Sequence, residues 1–329
     1  MVAHFASDRG AQVASHGFSG VEHSREGDPR FSYKHFMGVK ALAAGEGLDL
    51  VAVENFTGAD WSDVLLDGPD RDRQVDRLRR IVRDMGRAGI EMLGYNFSLA
   101  GVWGRELRPE ARGRAMTAVF DRPDESPIPR GMVWNQVVDR ALYERSTPDG
   151  AIDAVTQDQL WNRLGRFLDD LLPVAEEAGV VMALHPDDPP TATLRGTPRL
   201  VYRAELYDRV LAASPIANNA LEFCVGSLAE MPDQDIYSVV AHFAATGRIA
   251  YVHLRNVSGR VPTYRETFVD DGDVDLQRVL RILADSGFQG VVVPDHAPYP
   301  TCEAPWHAGM AYAVGWIRAS LRAIGELED

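Results

Sequence analysis

Residues 161–190 read WNRLGRFLDDLLPVAEEAGVVMALHPDDPP. Trp161, Leu164, Phe167, Leu168, Leu171, Leu172 and Ala175 recur at steps of three and four, which lays one apolar stripe along a helix. Gly179 is a natural stop, because a residue without a Cβ takes the left-handed conformation that ends helices. The run VVMALH at 180–185 is apolar without alternation, the pattern of a parallel strand covered on both faces. HPDDPP at 185–190 then turns the chain, with Pro186 and the Pro189–Pro190 pair blocking helix continuation. Helix, buried strand and rigid polar turn together make one unit of an α/β fold.

The same alternation runs through the chain. Continuous apolar runs place strands at about 2–5 (VAHF), 18–23 (FSGVEH), 48–54 (LDLVAVE), 91–97 (EMLGYNF), 220–225 (ALEFCV), 249–254 (IAYVHL) and 290–295 (GVVVPD). Val75, Leu78, Ile81, Val82 and Met85 mark a helix over 72–87, and weaker patterns cover 34–45, 201–213, 234–246, 274–286 and 306–326. Strands separated by helices need crossover connections and pair in parallel. Eight strands with seven or eight helices predict an α/β architecture of the (β/α)8 TIM-barrel type; a doubly wound open sheet is the alternative. A barrel makes residues 1–329 one domain, although roughly 150 residues per domain would allow two. Residues 98–156 interrupt the pattern after the fourth strand with Arg105, Arg108, Arg112, Arg114 and the proline-rich RPDESPIPRG. A segment this long is a lid or a solvated linker. Its place after a strand's carboxyl end, on the catalytic face of a barrel, favours an inserted lid-like segment.

Of the 329 residues, 45% are hydrophobic and 25% charged, so the chain buries about three quarters of its unfolded surface without needing a disulfide. Forty-eight acidic against 34 basic side chains leave a charge of −14. That balance argues against a nucleic-acid partner. It leaves an anionic small substrate open, since a local arginine can oppose the global field. Two cysteines, Cys224 and Cys302, cannot build a disulfide framework. MVAHFASDRG at the start lacks the features of a secretory signal, and no apolar run nears the ~20 residues of a membrane span. A reduced cytoplasm without a membrane partner is therefore expected, where an unpaired cysteine is free to bind a metal or react. A homo-oligomer is left open.

Metal-capable side chains fall at the carboxyl ends of the last four strands. His185 ends VVMALH, Cys224 ends ALEFC, His253 lies near the end of IAYVH, and Asp295 ends VVVPD. Singly, each has a blander reading: a core histidine, a small buried hydrophobe, an acceptor of loop amides. Strand ends converge on one mouth in a barrel, and two imidazoles, a thiolate and a carboxylate there point to a divalent transition ion. Ligand softness alone ranks zinc and iron first. His296, beside Asp295, is a candidate acid or base. Arg255 shares the face of His253 and suits a carboxylate, which a guanidinium grips with two parallel bonds. Asn96 offers a donor and an acceptor to a hydroxyl, and Glu266 reaches the mouth after the seventh strand. Asp273 reads as a helix cap. Asp187 and Asp188 are turn-formers or orient a ligand. His23 could line the mouth, while His35 and His242 read as helix-surface or packing residues; His307 has no comparable partners.

With these segments in order, the sequence resembles the mannonate dehydratase family, metal-dependent sugar-acid lyases on a xylose-isomerase-like barrel. The resemblance is carried by LLPVAEEAGVVMALHPDDPP (171–190), CVGS (224–227), YVHLR (251–255), GDVD (272–275) and PDH (294–296). RAGIEML and GYNF, over 87–97, add to it upstream, and the looser match runs from about residue 10 to the end. The resemblance implies metal ligation by His185, Cys224, His253 and Asp295, with manganese or ferrous iron ahead of zinc. It implies proton transfer by His296 and substrate contacts at Asn96, Arg255 and Glu266, to which Asp187 is added as a candidate. There are departures. A family tyrosine near Gly309 has no clean counterpart, since Met310 and Ala311 occupy its place, and Tyr312 replaces it only by a register shift. Val269 stands where members often carry a histidine.

The implied activity is dehydration of D-mannonate to 2-keto-3-deoxy-D-gluconate and water. A sugar or keto-sugar isomerase or epimerase uses the same proton abstraction without losing hydroxide. A barrel that binds sugar acids without turnover is the third reading, since fold alone does not fix function.

Overall fold

The computed structural model describes residues 1–4, 31–56, 58–122, 125–130, 133 and 150–327. Its first half runs β1 (Val2–His4), α1 (Tyr33–Gly45), β2 (Ala52–Glu54), α2 (Gly58–Leu66), α3 (Arg71–Arg87), β3 (Met92–Tyr95), β4 (Arg105–Arg108), β5 (Thr117–Asp121), α4 (Gln157–Ala178) and β6 (Val181–Leu184). There follow β7 (Thr193–Leu194), β8 (Thr197–Pro198), α5 (Leu206–Ala213), β9 (Asn219–Cys224), α6 (Val225–Ala229), α7 (Ile236–Ala245) and β10 (Ile249–His253). The chain ends with β11 (Asn256–Arg260), β12 (Thr263–Thr267), α8 (Leu276–Asp285), β13 (Val291–Val293) and α9 (Pro305–Ala323).

Helix α4 forms as its spacing predicts. Thr156 and Gln159 exchange reciprocal hydrogen bonds in a capping box, and Gly179 closes the helix at φ 70°. Its stripe from Leu160 to Ala175 is buried, as is Val75, Leu78, Ile81, Val82 and Met85 on α3. Each such side chain contributes about 1.5–3 kcal/mol by leaving water. Asp275, not Asp273, caps α8 through the Arg278 amide, while Asp273 accepts from the Gly259 amide. Two acids two residues apart compete for that role, and the one adjoining the first helical residue takes it.

Seven strands pair in parallel in the order β1-β2-β3-β6-β9-β10-β13, that is, in strict sequence order. Curled parallel strands taken in sequence, with helices between them, are the staves of a (β/α)8 barrel. The strand expected at 18–23, with His23, lies outside the described residues. Val2 and Ala3 pair directly with Ala52 and Val53, so no stave separates β1 from β2.

A second sheet, antiparallel in the order β11-β12-β5-β4, stands beyond the strand ends. It unites two distant stretches: β4 and β5 belong to the 98–156 segment, and β11 and β12 follow β10. Thr263, Tyr264 and Arg265 pair with Asp121, Phe120 and Val119, and the Phe120 and Tyr264 rings stack at 5.4 Å. Thr117 also donates from its hydroxyl to the Glu266 carbonyl at 2.8 Å. Arg105 and Glu266 are thereby carried to the barrel mouth.

Candidate active site

The four strand-end residues meet. β9 and β10 pair with His253 opposite Cys224, and the ligand atoms of His185, Cys224 and His253 lie within 4.8 Å of one another. An Asp295 carboxylate oxygen stands 3.5 Å from His253 Nδ1 and 4.0 Å from Cys224 Sγ. Asp295 takes φ 57°, a left-handed conformation that costs an L residue about 1–2 kcal/mol. Burial opposes ionisation of the Cys224 thiol, but Arg255 and the two imidazoles outweigh it and hold the thiol well below its usual range. The Ser227 amide and hydroxyl also donate to the sulfur, at 3.4 and 3.2 Å.

The two imidazoles are held in opposite senses. His185 Nδ1 lies 2.6 Å from the Pro186 carbonyl, which only accepts, so Nδ1 carries a proton and Nε2 is left for another partner. His253 Nε2 lies 2.9 Å from Glu54 Oε1 and 3.3 Å from Glu222 Oε1, while its buried Nδ1 has no hydrogen-bond partner. An orphaned buried nitrogen beside a thiolate, a second imidazole and a carboxylate makes a set of four donors that fits a metal ion.

His296 stands next to this set. Its Nδ1 is 2.8 Å from Glu266 Oε1 and its Nε2 is 3.4 Å from Asp295 Oδ1, with Arg105 Nη1 3.4 Å from Nδ1. Burial favours the neutral ring, but Asp295 and Glu266 outweigh it and raise the imidazole's pKa. Glu266 is bonded to Arg105 at 3.1 Å. Asn96 is buried over the same turn and donates weakly to the Pro186 carbonyl at 3.4 Å.

Three expectations change. Arg255 is not an open fork for a substrate carboxylate. Its guanidinium is buried and bonded to Asp295 (3.1 Å), Glu230 (2.7 Å), Asp188 (2.6 Å) and the Ser227 hydroxyl (2.9 Å). Asp187 does not face the mouth: it accepts from the Leu200 and Val201 amides, both at 2.7 Å, and pairs with Arg199 at 2.9 Å. Those three partners engage both Asp187 oxygens and fasten the turn after β8. Tyr312 is 42% exposed on α9, where Arg112 donates to its hydroxyl at 3.4 Å. Neighbouring Ala313 and Gly309 are the inward-facing positions of that helix, which turns Tyr312 outward.

Asp188, left open between turn-former and ligand-orienting residue, takes Arg105, Arg255, the Ser227 hydroxyl and the Tyr264 hydroxyl as partners, and other groups had no assigned role in the sequence. Arg105 is buried in the same cluster, and its Nε has no hydrogen-bond partner. Tyr299, three residues past His296, is pinned by its amide to the Met116 carbonyl at 2.8 Å. Burial and then Glu266 push its phenol up to about 12, against Arg105. Glu54 and Glu222 lie inside the barrel behind His253. The one signal for them was an acid within an otherwise apolar strand, as in VAVE and ALEFC.

The chain is similar to known proteins over most of its length. The family model described as D-mannonate dehydratase (UxuA) matches residues 8–315. A mannonate dehydratase of Streptococcus pneumoniae (strain 70585) is 28% identical over 313 residues, covering 90% of this chain and 85% of the relative. The crystal structure of mannonate dehydratase from Streptococcus suis serotype 2 superposes with a TM-score of 0.73 at 27% identity, over 90% of this chain and 85% of that one. A xylose isomerase domain protein from Planctomyces limnophilus shares the fold at a TM-score of 0.57 and 12% identity, over 91% and 86% of the two chains.

Proposed function

The chain belongs to the D-mannonate dehydratase family, and we propose that it removes water from D-mannonate to give 2-keto-3-deoxy-D-gluconate, as a hydro-lyase. The observation that carries this reading is the convergence of His185, Cys224, His253 and Asp295 at the mouth, with His296 and Glu266 beside them. The four donors would hold a divalent ion, manganese or ferrous iron by the family resemblance. Such an ion, when bound, supplies Lewis-acid stabilisation of charge developing on substrate oxygens.

The protein's own groups have separate tasks. Dehydration takes a proton from C2 and hydroxide from C3, and the resulting enol tautomerises to the keto acid. His296 moves a proton through Nε2, since Glu266 engages its Nδ1 and fixes the ring. Arg255 clamps Asp295 and Asp188 rather than substrate. Arg105, paired with Asp188 and Glu266, adds positive charge beside His296 that would favour a substrate carboxylate from behind those acids rather than by direct contact. The Tyr299 phenol provides a second proton-handling group on the loop that bears His296. Strands β4 and β5 of the 98–156 segment form one wall of the mouth, which ties that insertion to the site through Arg105.

An aldonate panel with manganese- or iron-loaded protein under anaerobic conditions tests the assignment. D-Mannonate is expected to yield a keto-deoxy acid. Its absence across the panel contradicts the proposal.

A further inference from the structure

A second cluster lies behind the four strand-end residues, on the barrel axis, and no step of the reaction above uses it. Glu54 closes β2, Glu222 sits two residues before Cys224 on β9, and Tyr251 sits two residues before His253 on β10. Residues two apart on a strand share a face, so these groups occupy the layer beneath the mouth. Glu54, Glu222, Tyr251 and His253 are all buried. Small residues make room: Ala52 on the stave of Glu54 itself, and Gly94 and Ala183 on the next two. A Cβ at position 94 would run into the Tyr251 hydroxyl and the Glu222 carboxylate.

Such a layer is ordinarily filled by branched aliphatic side chains, and carboxylates are costly to desolvate. The sequence nevertheless places two there, both within reach of one atom, His253 Nε2, at 2.9 and 3.3 Å. The opposite ring nitrogen, Nδ1, is the one that faces Asp295 and lacks a hydrogen bond. His185 is arranged the other way round, with Nδ1 committed to the Pro186 carbonyl.

We propose that Glu54 and Glu222 are positioning residues of the metal centre, which hold the proton of His253 on Nε2 and so commit that imidazole to ligation through Nδ1. His185 then ligates through Nε2, and the two rings present opposite nitrogens to one ion. A carboxylate accepting from a ligand imidazole fixes its tautomer and orientation and raises its basicity. The inference rests on the metal-centre reading above.

The full chain loaded with zinc, as a diamagnetic probe, and labelled with 15N-histidine shows the ligating nitrogen directly. The expected spectrum has one imidazole ligated through Nδ1 with a protonated Nε2, assigned to His253 by its loss in His253→Gln. Zinc affinity, measured by competition with a chromophoric chelator, is expected to fall about 10- to 100-fold in Glu54→Gln and Glu222→Gln. A wild-type protein that binds zinc with His253 ligated through Nε2 overturns the positioning role. So do folded variants that bind zinc as tightly as wild type. A wild-type protein that binds no zinc removes the metal-centre reading together with this one. The wild-type spectrum decides the matter even if a variant fails to fold.

Discussion

Cys224 is buried, but Ser227 donates twice to its sulfur, and two imidazoles and Arg255 hold the thiol low. An inert core cysteine would have apolar neighbours instead. Cys224→Ser is therefore expected to lower metal content in elemental analysis while the melting profile stays cooperative, because a hydroxyl does not ionise under the same influences. Unchanged occupancy would take Cys224 out of the ligand set. The two tyrosines near the mouth separate just as sharply. Tyr299→Phe should lower kcat with little change in KM, by about 10²-fold for a lost proton-transfer group. Tyr312→Phe should leave both unchanged, since its hydroxyl bonds Arg112 on the outer face. Equal losses in the two variants would contradict the assignment of Tyr299. Arg255 teaches a different lesson. Its spacing from His253 placed it correctly at the mouth, yet its acid partners Asp188, Glu230 and Asp295 come from three separate segments. Spacing along one strand carries no information about charges that arrive from others.

At the scale of elements, the barrel strands were legible because a stave buried on both faces is a continuous apolar run, as in VVMALH and IAYVH. The second sheet was not legible. Strand β4 is RELR, buried only at Arg105, and its neighbour β5 takes its other sheet partner from β12, more than 140 residues away. No periodicity within 98–156 announces such a pairing, so only the segment's position hinted at a role. The acid pair inside the barrel was equally silent, because it depends on the room left by Gly94 and Ala183 on other staves as well as by Ala52 on its own. Gly94→Ala on β3 tests that packing. The added methyl meets the Tyr251 hydroxyl and the Glu222 carboxylate, so overpacking should cost about 1–3 kcal/mol in denaturant unfolding. A variant as stable as wild type would show that the layer has room to spare.

Over the whole molecule, the charge of −14 coexists with a mouth built around Arg105, Arg255 and the metal-ligand set. The acids Asp188, Glu230, Glu266 and Asp295 match those arginines, so a bound divalent ion would supply the local positive charge that an acidic sugar requires. Among the described residues no helix is long and apolar enough to cross a membrane. Family membership points to one chemistry, loss of water from an aldonate. Mass spectrometry of the product formed from D-mannonate by metal-loaded protein tests that chemistry most directly. A product lighter than D-mannonate by one water, lost together with the metal in Cys224→Ser, is the predicted result. A product of unchanged mass would show an isomerase or epimerase instead and contradict the account.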